Sequence, residues 1–327
     1  MSAFASAQAP RDVVMVRPHR FAPNPETIAD NLFQPRTPVT PTAALAEAAY
    51  REVTAMVDTL TGAGIRVHLF EDEEAGRPDS VFPNNWFTTH PDGRVALYPM
   101  YSPNRRTERR RDVIDALRST FRITGVHDYS VLEDEELYLE GTGSMVLDHD
   151  HRVAYVARSF RSHDRAVAMV CQDLGYRPVV FTTVDGRGAP IYHTNVMMAV
   201  GPKVALVALD SIPDAGERHA VAASLATTGH TVVELASSQL DEFAGNTIEL
   251  TGADGPVLVL SSRALASLTE QQVEVITAHT RLLPIDVPTI ELAGGSVRCM
   301  IAGIHLAPRQ APPGTPRQAA RPVPQPA

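Results

Sequence analysis

Near the end of the 327-residue chain, one of its two cysteines, Cys299, follows Gly294-Gly295-Ser296-Val297-Arg298 and precedes Met300. A glycine-freed backbone there hands over to a short apolar strand, which is a suitable seat for a nucleophile. A thiol attacks only when a neighbouring base or positive field holds it as thiolate, so partners are required. His193 and Glu140 open similar segments upstream, in Tyr192-His193-Thr194-Asn195-Val196 and Leu139-Glu140-Gly141-Thr142-Gly143. An imidazole with a near-neutral pKa can give a proton in one step and take one in the next, and a carboxylate can hold it. The other cysteine, Cys171, ends the apolar helical run Ala166-Val167-Ala168-Met169-Val170 and reads as a buried structural thiol.

Residues so far apart meet only if the fold gathers them, and the chain repeats itself about every fifty residues. Each unit reads strand, turn, strand, helix, strand. The first opens at Phe82-Pro83-Asn84-Asn85-Trp86-Phe87, turns at Pro91-Asp92-Gly93, and continues through Arg94 to Tyr98, a helix near Thr107 to Thr120 and a strand from Phe121. The second opens at Leu139-Glu140 and carries a helix from Asp164 to Leu174; the third opens at Tyr192-His193, with a helix from Asp214 to Thr228. The fourth opens at Gly245-Asn246-Thr247, with a helix near Thr269 to Thr280. The fifth opens at Gly294-Gly295-Ser296 and runs out of chain after its hairpin. Its missing helix and strand stand at the other end, as Pro41 to Gly62 and Ile65 to Phe70, beyond a strand-like Val13 to Val16. A last unit completed by the N-terminus implies a closed ring whose unit openings share one central channel. Glu140, His193 and Cys299 then converge, with Asn84 and Asn85 in the corresponding place of the first unit.

At 44% hydrophobic the chain can bury a large core. No apolar run approaches membrane-spanning length and the first residues lack the pattern of a signal peptide, which makes the cytoplasm the expected compartment. Two cysteines give neither a disulfide framework nor zinc spacing, and the histidines His127, His163, His219, His230, His279 and His305 show no metal spacing either. His149 and His151 flank a turn and read as solvated. With a net charge of -9 and one short basic run, Arg105 to Arg111, nucleic acid is not an expected partner. Residues 1–10 and the Pro- and Ala-rich stretch 308–327 are expected to be disordered, leaving a single domain over 11–307. A Pro-rich stretch, Phe21 to Pro41, is too long for a simple turn; a cover over a site and a surface excursion both remain open for it.

These segments, in this order, resemble the guanidino-group-modifying enzymes of the pentein fold: arginine deiminases, dimethylarginine dimethylaminohydrolases and amidinotransferases. Leu139 to Ser144 resembles their acidic Gly-Gly-Asp signature, with Thr142 and Ser144 in place of its second glycine and its aspartate. His193 opens a segment like the catalytic-histidine strand, and Gly295 to Cys299 is similar to the nucleophile loop. Pro78-Asp79-Ser80-Val81-Phe82-Pro83-Asn84-Asn85 is similar to the dimethylarginine hydrolase segment that normally ends in Glu-Asp. Asn104-Arg105-Arg106-Thr107-Glu108 and Ser159-Phe160-Arg161-Ser162 resemble its two arginine-bearing segments. The citrulline-utilisation hydrolases are the branch most similar. The resemblance implies an α/β fold, a five-bladed propeller of pseudo-fivefold ββαβ repeats, and a hydrolase needing no metal or organic cofactor.

In the chemistry so implied, Cys299 attacks a guanidino or ureido carbon, and His193 protonates the departing nitrogen and then activates water. Glu140 holds the imidazole or a substrate N–H. Arg105 and Arg161 are candidates for the α-carboxylate, Asp79 for the α-amino group, and Phe82 joins them as a substrate-binding residue. Asn84, Asn85 and Asn195 stand where enzymes of cationic guanidines carry carboxylates. An amide offers both a donor and an acceptor, which suits a neutral ureido group such as that of citrulline. Transfer of the amidino group to an amine acceptor stays open, as does a non-catalytic binding module on the same fold; the oligomeric state is unread.

Overall fold

The computed structural model describes residues 6–309 except 32, 36 and 38. Its strands are β1 (Asp12–Pro18), β2 (Arg66–Asp72), β3 (Phe87–Thr89), β4 (Arg94–Leu97), β5 (Gly125–Asp128), β6 (Met145–Asp148), β7 (Val153–Ala157) and β8 (Arg177–Phe181). They continue as β9 (Met198–Val200), β10 (Val204–Val207), β11 (Thr231–Glu234), β12 (Ile248–Gly252), β13 (Gly255–Ser261), β14 (Arg281–Ile285) and β15 (Ala302–Ile304). They form five three-stranded sheets, β3-β4-β5, β6-β7-β8, β9-β10-β11, β12-β13-β14 and β15-β1-β2. In every sheet the inner strand runs antiparallel to the middle one, and the middle strand parallel to the outer one. The parallel pair needs a crossover, and a helix supplies it.

The middle strands β7 and β10 are buried along their whole length, which is why they read as unbroken apolar runs, Val153-Ala154-Tyr155-Val156-Ala157 and Val204-Ala205-Leu206-Val207. The crossover helices bury one stripe each. In the helix Ala43–Gly62, Ala49, Val53, Met56 and Leu60 recur at helical spacing, and Thr42 caps its start by accepting from the Leu45 N–H. The helix Asp164–Leu174 buries Ala166, Val167, Val170, Cys171 and Leu174, and burial pushes the Cys171 thiol up to about 11, a structural thiol. Inner strands of adjacent blades touch, β6 with β9, β9 with β12 and β15 with β3, so the ring closes through the blade that both chain ends build.

Several boundaries differ from expectation. The helix expected from Thr107 is Arg111–Thr120, because Pro103–Glu108 forms a separate 3-10 turn that carries Arg105 inward. The strand expected at Phe121 starts at Gly125, and Phe121 instead bridges Pro308. Residues 1–5 and 310–327 of the termini expected to be disordered lie outside the described residues. Ser6 to Pro10 are packed, contrary to that expectation: the Gln8 amide donates to the carbonyls of Leu147 and Val200 at 2.9 and 2.7 Å and accepts from the His149 N–H at 2.6 Å. Pro308 and Arg309 are likewise paired with the end of the Arg111–Thr120 helix. His149 is not solvated; it is buried, stacks on His305 with ring centroids 3.8 Å apart, and shares a 2.7 Å hydrogen bond with the Tyr176 hydroxyl. No described helix is long and apolar enough to cross a membrane.

Candidate active site

Each blade delivers the start of its inner strand to one end of the ring. Short helical turns Pro83–Asn85, Gly141–Ser144 and Thr194–Met197 precede β3, β6 and β9; Gly245-Asn246-Thr247 precedes β12; and a turn through Ser296 to Met300 precedes β15. Asn85, Glu140, His193, Asn246 and Cys299 are thus brought together from five blades. Cys299 sits in that turn rather than on a strand, its N–H bonded to the Ser296 carbonyl at 2.9 Å. The turn needs Gly294, whose φ of 75° places it in the left-handed region and whose missing Cβ would strike the Asn31 side chain at 2.5 Å.

His193 Nε2 lies 2.8 Å from Glu140 Oε2. Burial depresses the imidazole to about 4, with the Glu140 carboxylate opposing the fall, which favours its neutral form. For Glu140, burial acts to raise the carboxyl, but the Arg161 guanidinium, the His193 hydrogen bond and the Arg105 guanidinium outweigh it and hold it below the usual carboxylate range. Its other oxygen accepts the Tyr101 N–H at 3.0 Å. The Arg105 fork donates to both Glu108 oxygens at 3.0 Å and to Asn85 Oδ1 at 3.1 Å, and lies 3.4 Å from Asp79 and 3.5 Å from Glu140. Arg161 donates to Asp30 at 2.7 Å, packs under the Tyr192 ring and lies 3.5 Å from Glu140.

A small cavity of about 10 Å³ marks the centre, lined by Asp79, Phe82, Asn85, Arg105, Arg161, Tyr192, His193 and Cys299 together with Asn31, Ala293 and Gly295. Seven of the ten anticipated side chains therefore line it directly, and Glu140 supports it from behind His193. Two do not. Asn84 is buried outside the lining, its backbone carbonyl accepting from the Thr142 hydroxyl. Asn195 turns its amide onto the cysteine sulfur, at 3.5 Å, because it sits on the turn before β9 and faces the neighbouring turn that carries Cys299.

Part of the Pro-rich stretch covers the cavity. Asn24 donates to Asp79 at 2.7 Å, Asp30 accepts from Arg161, and Asn31 and Gln34 both donate to the Ala293 carbonyl, at 3.2 and 3.1 Å. Asn31, Tyr192, Glu108 and Asn246 carried no sequence signal of their own, except that Asn246 opens the fourth unit as His193 opens the third. Away from this pocket, Asp148, His151 and His230 bring ligand-type atoms within 4.8 Å of one another across two blades, a proximity that sequence spacing does not show. Those atoms are engaged already, His151 with Asp148 at 2.9 Å and His230 Nε2 with the Gly201 carbonyl at 3.0 Å.

Gly143 keeps the site in register. A Cβ there would lie 2.2 Å from the Asn85 amide nitrogen and 2.8 Å from the His193 ring. Gly143→Ala is expected to displace both side chains and to lower kcat/KM by about a hundredfold, the scale of a misplacement of roughly 1 Å at reacting groups. Steady-state kinetics alongside a melting curve checks this; an unaltered kcat/KM would show that neither group needs its present position.

A ring of five such blades around a thiol, an imidazole and a carboxylate defines the guanidino-modifying class of pentein enzymes. Among solved structures, the N-terminal domain of ArgZ bound to substrate, an arginine dihydrolase from the ornithine-ammonia cycle in cyanobacteria, aligns with a TM-score of 0.69 at 16% identity, over 90% of this chain and 99% of that one. Unliganded AgrE aligns with a TM-score of 0.72 at 16% identity over 91% of this chain and 40% of its own. The adduct of dimethylarginine dimethylaminohydrolase with 4-chloro-2-hydroxymethylpyridine aligns with a TM-score of 0.61 at 14% identity, over 90% and 99% of the two chains. At these identities the likeness is one of fold. No curated protein matches the chain in sequence. The chain belongs to the family described as N,N dimethylarginine dimethylhydrolase, eukaryotic, whose model matches residues 17–306.

Proposed function

We propose that the protein is a cysteine-dependent hydrolase that cleaves a C–N bond in the ureido group of a citrulline-like amino acid. The observation that carries the choice of a neutral group is the orientation of Asn85. Arg105 donates to its Oδ1, which turns Nδ2 the other way, and that buried nitrogen has no hydrogen-bond partner among the described residues. The pocket therefore offers an N–H donor beside His193. A ureido carbonyl can accept from it, whereas a guanidinium has only donors to present. Asp79 Oδ1 and Arg161 Nε are also buried without partners among the described residues, and they match an α-ammonium and an α-carboxylate respectively.

In this reading Cys299 Sγ attacks the ureido carbon, an S–C bond forms, and the carbonyl π pair moves to oxygen beside the Asn85 donor. The attacking sulfur is already a thiolate, its proton lost to solvent; His193, neutral at rest, takes up a proton from solvent as that negative charge develops and passes it to the departing nitrogen as the C–N bond breaks. The now neutral imidazole removes a proton from water, which attacks the thiol-bound carbon and expels the thiolate, and the imidazolium then returns that proton to solvent. Glu140 stabilises each protonated state of the imidazole through its 2.8 Å contact.

The test is a mass-spectrometric product assay of the full chain on citrulline, arginine, methylarginines and agmatine. Ornithine from citrulline supports the reading. Citrulline from arginine or a methylarginine overturns it in favour of a cationic guanidine. Asn85→Asp replaces the free donor by an acceptor and is expected to raise the kcat/KM ratio of arginine to citrulline by at least about tenfold, since a site built for one hydrogen bond rejects its inverse. An unchanged ranking of substrates would count against the neutral-group assignment.

A further inference from the structure

We propose that the side-chain amides of Asn195 and Asn246 form a two-donor cradle that stabilises the Cys299 thiolate, and that His193 does not generate it. The inference rests on Cys299 being the nucleophile of the proposed hydrolase. Asn246 Nδ2 lies 3.2 Å from Cys299 Sγ and Asn195 Nδ2 lies 3.5 Å from it, and all three side chains are buried.

The orientation of Asn246 is fixed by its neighbours. Its Oδ1 accepts the Arg298 N–H at 3.0 Å, so the nitrogen must face the other way, where its two hydrogens go to the Asn195 carbonyl at 3.1 Å and to the sulfur. A neutral thiol is a poor acceptor, whereas a sulfur anion gains charge-assisted bonds from both amides. Two donors aimed at one buried sulfur therefore favour its ionised form, with the thiol proton released to solvent. His193 has its Nε2 on Glu140 and makes no hydrogen bond to Cys299 among the described residues. Arg105, Arg161, Asp79 and Tyr192 share the pocket with the sulfur, while the adjacent Arg298 turns its guanidinium to the Ile301 carbonyl and to a separate channel cavity. Charge stabilisation on sulfur and proton handling on imidazole are thus divided between different blades.

The experiment is the ultraviolet thiolate absorbance of the full chain followed against pH without substrate, taken as the difference from Cys299→Ser. Asn246→Ala and Asn195→Ala are each expected to move the appearance of the band to higher pH by about one unit, the worth of one hydrogen bond to a charged group. Asn246→Asp, which keeps an acceptor for the Arg298 N–H but turns an oxygen to the sulfur, is expected to move it further and guards against loss of folding in the alanine variant. His193→Ala should leave the band where it is. A band lost in His193→Ala and unmoved in the asparagine variants would overturn the cradle in favour of a thiolate–imidazolium pair. Because no substrate is present, failure of the citrulline assay alone would overturn the substrate and leave this result standing.

Discussion

Cys299→Ser is expected to reduce turnover by a thousandfold or more while leaving a folded protein. The hydroxyl keeps the shape of the side chain in its turn before β15 but cannot supply a comparable anion near neutral pH, and loss of a covalent nucleophile removes the step rather than weakening it. The substitution deletes no large apolar group and leaves the Ser296 carbonyl contact of the backbone in place, so stability should change by no more than about 1 kcal/mol. Kinetics and thermal unfolding measured on the same preparation separate the two effects. Retained turnover would remove Cys299 from the nucleophile's place.

Arg105→Met is the second large effect, this time on stability. The guanidinium is only 2% exposed and serves Glu108 bidentately, with Asp79, Asn85 and Glu140 around it. Methionine fills much of the volume but leaves those carboxylates uncompensated, and breaking such a buried pair from one side costs about 3–5 kcal/mol. For a domain of this size the melting temperature should fall by on the order of 10 °C. Burial raises Glu108 to about 8, and the Arg105 charge is the chief influence opposing that rise. A carboxyl raised in the folded state contributes stability below its unfolded value and loses it as pH climbs through the folded one. Without Arg105 that loss extends further upward, so the deficit against wild type should widen as pH climbs past about 8 and stay level below it. A deficit independent of pH would mean that packing, and not charge, carries the role of Arg105.

Much of the ring was legible because its repeat is written in local signals, apolar strands, glycine turns and capped helices at a regular interval. The meeting of Glu140, His193 and Cys299 followed from where each stands in its unit. What was not legible depended on side-chain direction. Arg105 and Arg161 are arginines of the expected segments, yet their forks are engaged by Glu108 and Asp30, one three residues away and the other in a loop without pattern. Asn84 and Asn85 are adjacent and alike, and only the turn Pro83–Asn85 decides that the second faces the pocket. His149 read as a polar turn residue because nothing local shows that Gln8 and His305, from opposite ends of the chain, close over it.

The blade β15-β1-β2 joins the two ends of the chain, and Cys299, the proposed nucleophile, lies three residues before its inner strand. During synthesis the histidine and its carboxylate are therefore made more than a hundred residues before the sulfur they serve, and β1 waits for a partner strand that arrives with the last blade. A ribosome-bound chain lacking that blade carries an acid–base pair with nothing to act through. In the proposed mechanism, chemistry begins only when the circle is shut, which makes completion of the fold the first requirement for turnover.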